Sequence, residues 1–435
     1  MLQHFANLFR IPEVRSRIWL TLGLLIVYRI GWNIPIPGID PELVRKAVGQ
    51  EGSSNTVLDF LNIISGGGIQ NASLFSLGIM PYISASIIFS LLVKVIPALE
   101  KVSKEGSAGQ RKINQWTRWA TIPICIVQAA FAVRPYTQPY EVLGKIPITF
   151  DPDPGFGWVL IAVLALTGGT IFLMWIGEQI TEHGVGNGIS ILIMAGIVAR
   201  LPSAIANAGL AVYQGVLMSA LFVLVILGVV FITKGQRKIP VQYAKLTRGR
   251  RVYGGQRHYM PIRVNMAGVM PVIFASALLA FPPLIFEALN LNLLATALGY
   301  GKYLWAMAYI GLTFFFSFFW TALMFNPVEM SKNMKEYGSF IPGIRPGRPT
   351  AEHLEKIMNR ITLAGATFLA LIAVLPVVVA STMNLPDLLT TYLGGTTILI
   401  VVSVALDLVD KLNSYLVMRN YEGFLRGGGG KKGVK

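Results

Sequence analysis

The chain is poor in the groups that catalysis, metal binding and covalent cross-linking draw on. Its 435 residues include one cysteine and four histidines, and only 13% of them are charged. A lone Cys125 excludes an internal disulfide, and its place within an apolar stretch marks it as a buried structural thiol. His4, His183, His258 and His353 are scattered without ligand spacing, so a metal site is not expected. Acidic residues number 21 against 37 Lys and Arg, for a net charge of +16. Almost none of these charges falls inside the long apolar runs. Buried intramembrane charges are costly and are kept mainly where they work, so a proton-driven carrier or an intramembrane enzyme is disfavoured. The Glu178-Gln-x-x-Glu182-His183 string lacks the second histidine of a zinc-protease helix. Gly184-Val-Gly186-Asn-Gly188 follows no strand, so it reads as a tight turn between helices and not as a phosphate cradle. Nothing here points to an enzyme or to a cofactor.

What is abundant is apolar sequence, at 54% of residues with a mean hydropathy of +0.59. It is concentrated in ten stretches near 18–36, 74–93, 116–134, 157–177, 187–202, 211–233, 267–288, 303–325, 361–382 and 392–410. Most approach the ~20 residues that a membrane helix needs. The connecting segments alternate in charge. With the N-terminus on the first side, that side collects 30 of the 37 cations, whereas the second holds Arg45, Lys46, Arg134, Lys145, Arg200 and Lys302. Arg29 lies within the first stretch and reaches outward from its end. The excess of Lys and Arg on cytoplasmic loops makes the first side the cytoplasm, and ten crossings return the C-terminus to it. The expectation is an all-α, multi-pass protein of the cytoplasmic (inner) membrane with both termini cytoplasmic. The first stretch is too long for a signal-peptide core and lacks a small-x-small end, so no cleavable signal is expected.

Three segments exceed what topology requires. Residues 57–78 hold a short apolar piece, then Gly66-Gly67-Gly68, Gln70-Asn71 and a second apolar start. The residues alone leave two readings, an ordinary loop or a half-helix that enters from the second side and turns back. Residues 234–266 carry nine cations and no acid, a composition suited to anionic lipid, nucleic acid or an acidic protein surface. Within them Ile239, Val241 and Tyr243 alternate, Gly249 offers a turn and Val252-Tyr253 resumes a strand, predicting a β-hairpin. Residues 326–360 end in a stiff Pro/Gly tip, Phe340-Ile-Pro342-Gly-Ile-Arg345-Pro346-Gly-Arg348-Pro349, and Thr350 is the predicted cap of the helix that follows. Residues 1–16 read as an amphipathic lead at the interface, and 427–435 as a flexible basic tail. A five-plus-five division into 1–202 and 203–426 would give halves of inverted topology. By spacing alone, Ile79, Ile83, Ile189, Ile193, Ile273 and Ile400 read as core-packing residues, and the alternative is that stiff β-branched side chains converging from several helices form a narrow dry constriction.

Six strings carry a resemblance: Tyr28–Gly38, Leu77–Ile87, Gly177–Ser190, Asn265–Pro271, Gly343–Gly347 and Gly394–Thr397. Through them the chain resembles the SecY family, the central subunit of the bacterial protein-conducting channel, over essentially its whole length. The resemblance implies ten transmembrane helices in two pseudo-symmetric inverted five-helix halves around an hourglass pore. The six isoleucines would form the pore ring, and a plug near 60–73 (Asn62, Ile63, Ile64, Ser65, Gly66, Gly67, Gly68) would sit against it. A lateral gate would lie where spans two and three meet seven and eight, with Ser84, Gln128 and Ser276 as its candidates. Arg250 and Arg251 match a pair placed near ribosomal RNA, and Arg345 matches an arginine on which SecA-driven export depends; Lys238 and Arg348 join them as contacts. The implied partners are SecE and SecG, the SecA motor, the translating ribosome, signal peptides, unfolded client polypeptides and lipid. The triple glycine of the plug and the Gly/Lys-rich tail depart from the family pattern. Against this stand a small-solute or lipid transporter, which would need midplane charges and short loops, and a membrane scaffold, which leaves the plug-like segment without a purpose.

Overall fold

A computed structural model describes residues 12–40, 42–44, 72–137, 149, 155–206, 212–243, 246–248, 251–253, 257–288, 291, 294, 297–298, 302–382 and 395–427. The helices are α1 (Pro12–Gly31), α2 (Met80–Val95), α3 (Pro97–Ser103), α4 (Ser107–Thr137), α5 (Phe156–His183), α6 (Gly188–Ala206) and α7 (Val212–Lys234). They continue with α8 (Met270–Ala288), α9 (Tyr303–Met324), α10 (Pro327–Glu336), α11 (Arg348–Thr382) and α12 (Gly395–Gly427). Each of the ten apolar stretches overlaps one helix among the described residues, although 32–36 and 74–79 lie outside α1 and α2. Length and hydropathy together qualify five helices among the described residues as membrane spans, or up to six when the bent pair α2–α3 counts as one. Residues 1–11, 45–71 and 428–435 lie outside the described residues, and with them the N-terminal lead, the predicted plug and the end of the tail.

Contacts divide the chain into two units, Met1–Ala206 with Val404–Lys435, and Asn207–Ser403. In the first unit, α1 stops at Gly31, five residues before the expected end, because Pro35 and Pro37 cannot donate the backbone bonds that would continue it. The chain runs on in extended form. Pro35 pairs with Ser73, the Ile36 N–H donates to Ala72 O at 2.8 Å, and the Leu74 N–H donates to Ile34 O at 2.9 Å. The Trp158 indole donates to Pro37 O at 3.1 Å and covers Gly38, whose φ of +84° and lack of a side chain both suit the contact. One core, including Ile36, Ile39, Val133 and Leu166, fills this end. A second, including Tyr28, Phe75, Leu173, Ile176 and Leu192, fills the middle. The break between α2 and α3 is a 104° bend at Ile96-Pro97, where Ile96 takes the extended conformation favoured before proline.

At the basic end of this unit, the α5–α6 turn is pinned from two helices. Arg17 of α1 donates to Gly184 O at 3.3 Å, and its guanidinium lies 5.5 Å from the ring centroid of Tyr415 in α12. The Thr21 hydroxyl accepts from the Val185 N–H. Asn187 caps α6 by accepting from the N–H groups of Ile189 and Ser190. Gly184–Gly188 is thus a turn between two helices, held closed by Thr181, whose hydroxyl accepts from the Gly188 N–H at 2.9 Å.

In the second unit, α8 packs on α9 and α9 on α11. Thr313, Ser317 and Thr321 run down the buried face of α9, each hydroxyl donating to the carbonyl four residues earlier. This lets polar residues sit inside an apolar bundle without stranded donors. Beyond α7 the chain forms two hairpins. β1 (Gln236–Tyr243) pairs antiparallel with β4 (Arg257–Arg263), and β2 (Leu246–Arg248) pairs with β3 (Arg251–Tyr253). The predicted strands at 239–243 and 252–253 are therefore present but do not pair with each other: the first pairs with β4 and the second with β2, so the single predicted hairpin is two. A third strand, β5 (Ser339–Phe340), joins β1 through Gln242↔Phe340 and Tyr243↔Ser339, giving the order β4-β1-β5. The α11 helix starts at Arg348, so Thr350 lies inside its first turn and is not the cap. Its hydroxyl donates to Arg345 O at 2.8 Å, tightening the Pro/Gly tip onto the helix.

Candidate functional site

The candidate residues fall into an apolar group in each unit and a basic surface in the second. In the first unit, Gly78 (φ +55°) turns the chain into α2, leaving Ile79 as the residue before the helix and Ile83 one turn on. Ile193 comes from α6. Ile79, Ile83 and Ile193 line one narrow cleft together with Tyr28 and Leu173. No residue lining that cleft is an acid or a base. Ile79 is buried, whereas Ile83 and Ile193 are half-buried. Ile189 does not line the cleft; its side chain lies against Gly177 of α5, where the absent Cβ leaves room for it. Chemically such a cleft offers mainly dispersion contacts from branched side chains and carries no formal charge to bind an ion.

The backbone before Ile79 is held more tightly than the sequence suggested. Ala72 adopts φ +42°, a costly left-handed conformation for a residue with a Cβ. Ser73 stabilises the next turn, its hydroxyl accepting from the Phe75 N–H at 3.0 Å and its carbonyl from the Ser76 N–H at 2.9 Å. Phe75 is buried in a run of rings, Tyr28–Phe75–Phe172–Trp175, with successive centroids 6.3, 6.2 and 5.8 Å apart. Gly31 admits the Phe75 ring, and Gly169 admits the backbone at Leu74. Asn62, Ile63, Ile64, Ser65, Gly66, Gly67 and Gly68 lie outside the described residues, so this anchored stretch is the described end of the predicted plug region. Sequence reasoning missed the aromatic run. Its signal, Phe75 between two serines (Ser73 and Ser76) and two glycines on facing helices, Gly31 and Gly169, is legible only once the helices are paired.

Ser84 on α2 and Gln128 on α4 are half-buried in the first unit, where α2 and α4 pack together. In the second unit Ser276 on α8 is half-buried and donates to Ile273 O at 2.9 Å. Ile273 and Ile400, on α8 and α12, are also half-buried.

The basic surface is built on the sheet. Strands present alternate residues to opposite faces. Ile239 and Ile262 turn inward onto a core that includes Ile341, Leu354 and Ile361, Val241 is buried on the same side of β1, and Lys238 is exposed. Two loops separated by about sixty residues of sequence thus share one apolar core and one sheet. Ile341 and Ile344 in the Pro/Gly tip were the available signal for this joining. Arg345 is exposed beside the turn fixed by Thr350. Arg348, its side chain 91% exposed, pairs with Glu352 at 3.1 Å, a solvated contact worth a few tenths of a kcal/mol. Arg251 is the first residue of β3, opposite Arg248, and Arg250 lies outside the described residues.

A sequence model described as SecY matches residues 73–409. The protein translocase subunit SecY of Corynebacterium glutamicum is 42% identical over 438 residues, covering 96% of this chain and 98% of that one. The subunit of the same name from Escherichia coli K12 is 43% identical, covering 95% and 94%, and that of Thermotoga maritima is 39% identical, covering 98% and 99%. Among solved structures, a protein conducting channel superposes with a TM-score of 0.61 at 19% identity, over 94% of this chain and 96% of its own. Sec61 from a canine ribosome-channel complex gives 0.57 at 18% identity, over the same shares. The structural likenesses establish a shared fold, and the sequence likeness, sustained from end to end, establishes descent: the chain belongs to the SecY family.

Proposed function

We propose that the chain is the pore-forming subunit of a protein-translocation channel in the cytoplasmic membrane, passing unfolded secretory polypeptides across and releasing hydrophobic segments sideways into lipid. The observation that carries this reading is the uncharged cleft lined by Ile79, Ile83 and Ile193. With Ile189, Ile273 and Ile400 these residues make the constriction, and residues 62–68 make the plug beside it. The helices 1–202 and 203–426 form the two halves, and Ser84, Gln128 and Ser276 belong to the gate between them. Both termini are cytoplasmic, with 427–435 a basic tail.

The chain does no covalent chemistry on its client. Branched apolar side chains wet poorly, so a closed constriction blocks ions without a charged barrier, and yet it grips no particular sequence. A signal segment leaves through the gate because hydrocarbon favours it. At about −0.3 to −0.6 kcal/mol per central Leu, Ile, Phe or Val, ten such residues supply roughly 3–6 kcal/mol. The work of moving polar chain comes from partners: a translating ribosome at Arg250, Arg251 and Lys238, or the SecA motor at Arg345 and Arg348. SecE and SecG complete the complex. The shared core beneath the two basic loops supports this part of the reading, since it offers both partners a stiff footing.

The test is a ribosome stalled on a partly made secretory chain, with a photo-crosslinker at position 193 of the channel. A crosslink to the nascent chain is expected. Ribosome binding without any such crosslink would leave the chain a docking scaffold.

A further inference from the structure

The outer face of the β1–β4 hairpin carries Lys238, already assigned to the ribosome, and an open aromatic residue beside it that the proposed roles leave unexplained. The register sets Gln236 opposite Arg263, Lys238 opposite Pro261 and Pro240 opposite Tyr259. These residues share one face, because alternate positions of a strand point the same way. The other face is closed off by Ile239, Val241 and Ile262. The outer face is open throughout, with Gln236, Lys238, Pro240, Tyr259, Pro261 and Arg263 all exposed. Tyr259 is 62% exposed, a large ring left open to solvent on a strand paired along its length with β1. Lys238 lies diagonal to it across the hairpin and Arg263 lies further along β4, so cations stand around a flat ring edged by two prolines.

The charge decides what such a face receives. Between Lys234 and Arg263 there is no acidic residue, so its partner is a polyanion. A headgroup layer adds only ~6 Å to each side of the hydrocarbon core, whereas the Pro240–Tyr259 pair lies about 13 Å along the strand from Gln236. An acidic protein surface would use the cations but has no need of an open aromatic face. RNA uses both, since an unstacked base offers a π-face to the ring and its flanking phosphates meet the cations.

We propose that this face is a docking surface for an unpaired RNA base, with Tyr259 as the stacking residue and Lys238 and Arg263 as its phosphate contacts. The proposal rests on the reading of the chain as a ribosome-engaging channel and adds to it a contact separate from Arg250 and Arg251. Stacking of this kind is tolerant of sequence, so the contact sets geometry and dwell time while the base identity is free.

The experiment measures binding of non-translating ribosomes to the full chain, purified with its partner subunits in lipid nanodiscs. Tyr259→Ala and Tyr259→Leu should each weaken binding roughly ten-fold or more, while Tyr259→Phe keeps the ring and binds as the parent. The salt slope of log affinity should be unchanged in Tyr259→Leu and should fall by about 1 in Lys238→Gln. A photo-reactive phenylalanine derivative at position 259 should crosslink to ribosomal RNA. Equal affinity of the Leu and Phe variants, with loss on Arg250→Glu/Arg251→Glu, would overturn the stacking proposal and leave the docking reading intact. Unchanged affinity in every variant would overturn both. Crosslinks to ribosomal protein alone, or weakened binding of the motor ATPase with ribosome affinity unchanged, would assign the face to a protein partner and end the RNA proposal.

Discussion

Phe75 is the residue whose removal tests most directly how the backbone before the cleft is held. Its ring stacks on Tyr28 at 6.3 Å with 9° between planes and on Phe172 at 6.2 Å with 22°. Each such pair contributes ~0.5–1.5 kcal/mol beyond area burial, so Phe75→Ala forfeits about 1–3 kcal/mol of ring contact. Little transfer energy adds to this within a bilayer, since lipid tails are as apolar as the core; part of the cavity cost does. The loss falls on local opening of 72–79. The reporters are the amides of Leu74, Ser76 and Gly78, which donate to Ile34 O, Ser73 O and Phe75 O at 2.9, 2.9 and 2.8 Å. At 1.4 kcal/mol per tenfold, their hydrogen-exchange protection should drop roughly 5–150-fold. The Val264 amide, bonded to Gly235 O in the other unit, should be unaffected. Phe75→Leu, which fills most of the space but stacks on nothing, should fall between. The channel should also leak, because Ile79 follows this stretch directly. Unchanged protection at Leu74 and Gly78 would refute the claim that the aromatic run fixes the segment.

Three further outcomes follow from where individual side chains are placed. Replacing Ile83 and Ile193 together by serine puts hydroxyls into the uncharged cleft, and ion flux through proteoliposomes should rise several-fold because water enters a polar constriction readily; a flux equal to the parent's would remove these residues from the seal. Arg345→Glu should cut motor-driven export in inverted vesicles by an order of magnitude or more, with ribosome-coupled insertion less affected, and Arg348→Ala should lower motor-driven export in the same direction but less, as the loss of one proposed motor contact; its exposed pair with Glu352, worth a few tenths of a kcal/mol, leaves stability nearly unchanged. Equal loss in both assays would contradict the division of roles between the two loops.

The helices were legible because the bilayer imposes one dominant constraint, some twenty apolar residues per crossing, and hydropathy reads it directly. The break at Gly31 was legible in principle from Pro35 and Pro37, yet the apolar Ile34 and Ile36 interleaved with them extended the expected span past it. The cleft was legible only through resemblance. Nothing in the spacing of Ile79, Ile83 and Ile193 distinguishes a constriction from packing, and Ile189, one turn from Ile193, turns to Gly177 instead. The run from Tyr28 to Trp175 joins α1, the 72–79 stretch and α5, contacts between elements that no periodicity within one element encodes.

The sheet shows the same limit from the opposite direction. Alternation at Ile239, Val241 and Tyr243 predicts β1, and Val252-Tyr253 predicts β3, but β5 is two residues long, below any pattern length. It forms because Ile341 needs the core that Ile239 and Ile262 bury, and because α10 and α11 bring it there. That core makes the two basic loops one mechanical body, since Gln242 and Tyr243 pair with Phe340 and Ser339 over apolar side chains from both. An insertion between Ser339 and Ile341 should therefore disturb β1 as much as it disturbs the Arg345 tip. A partner bound at either loop would then act on the other through the sheet, with no contact of its own.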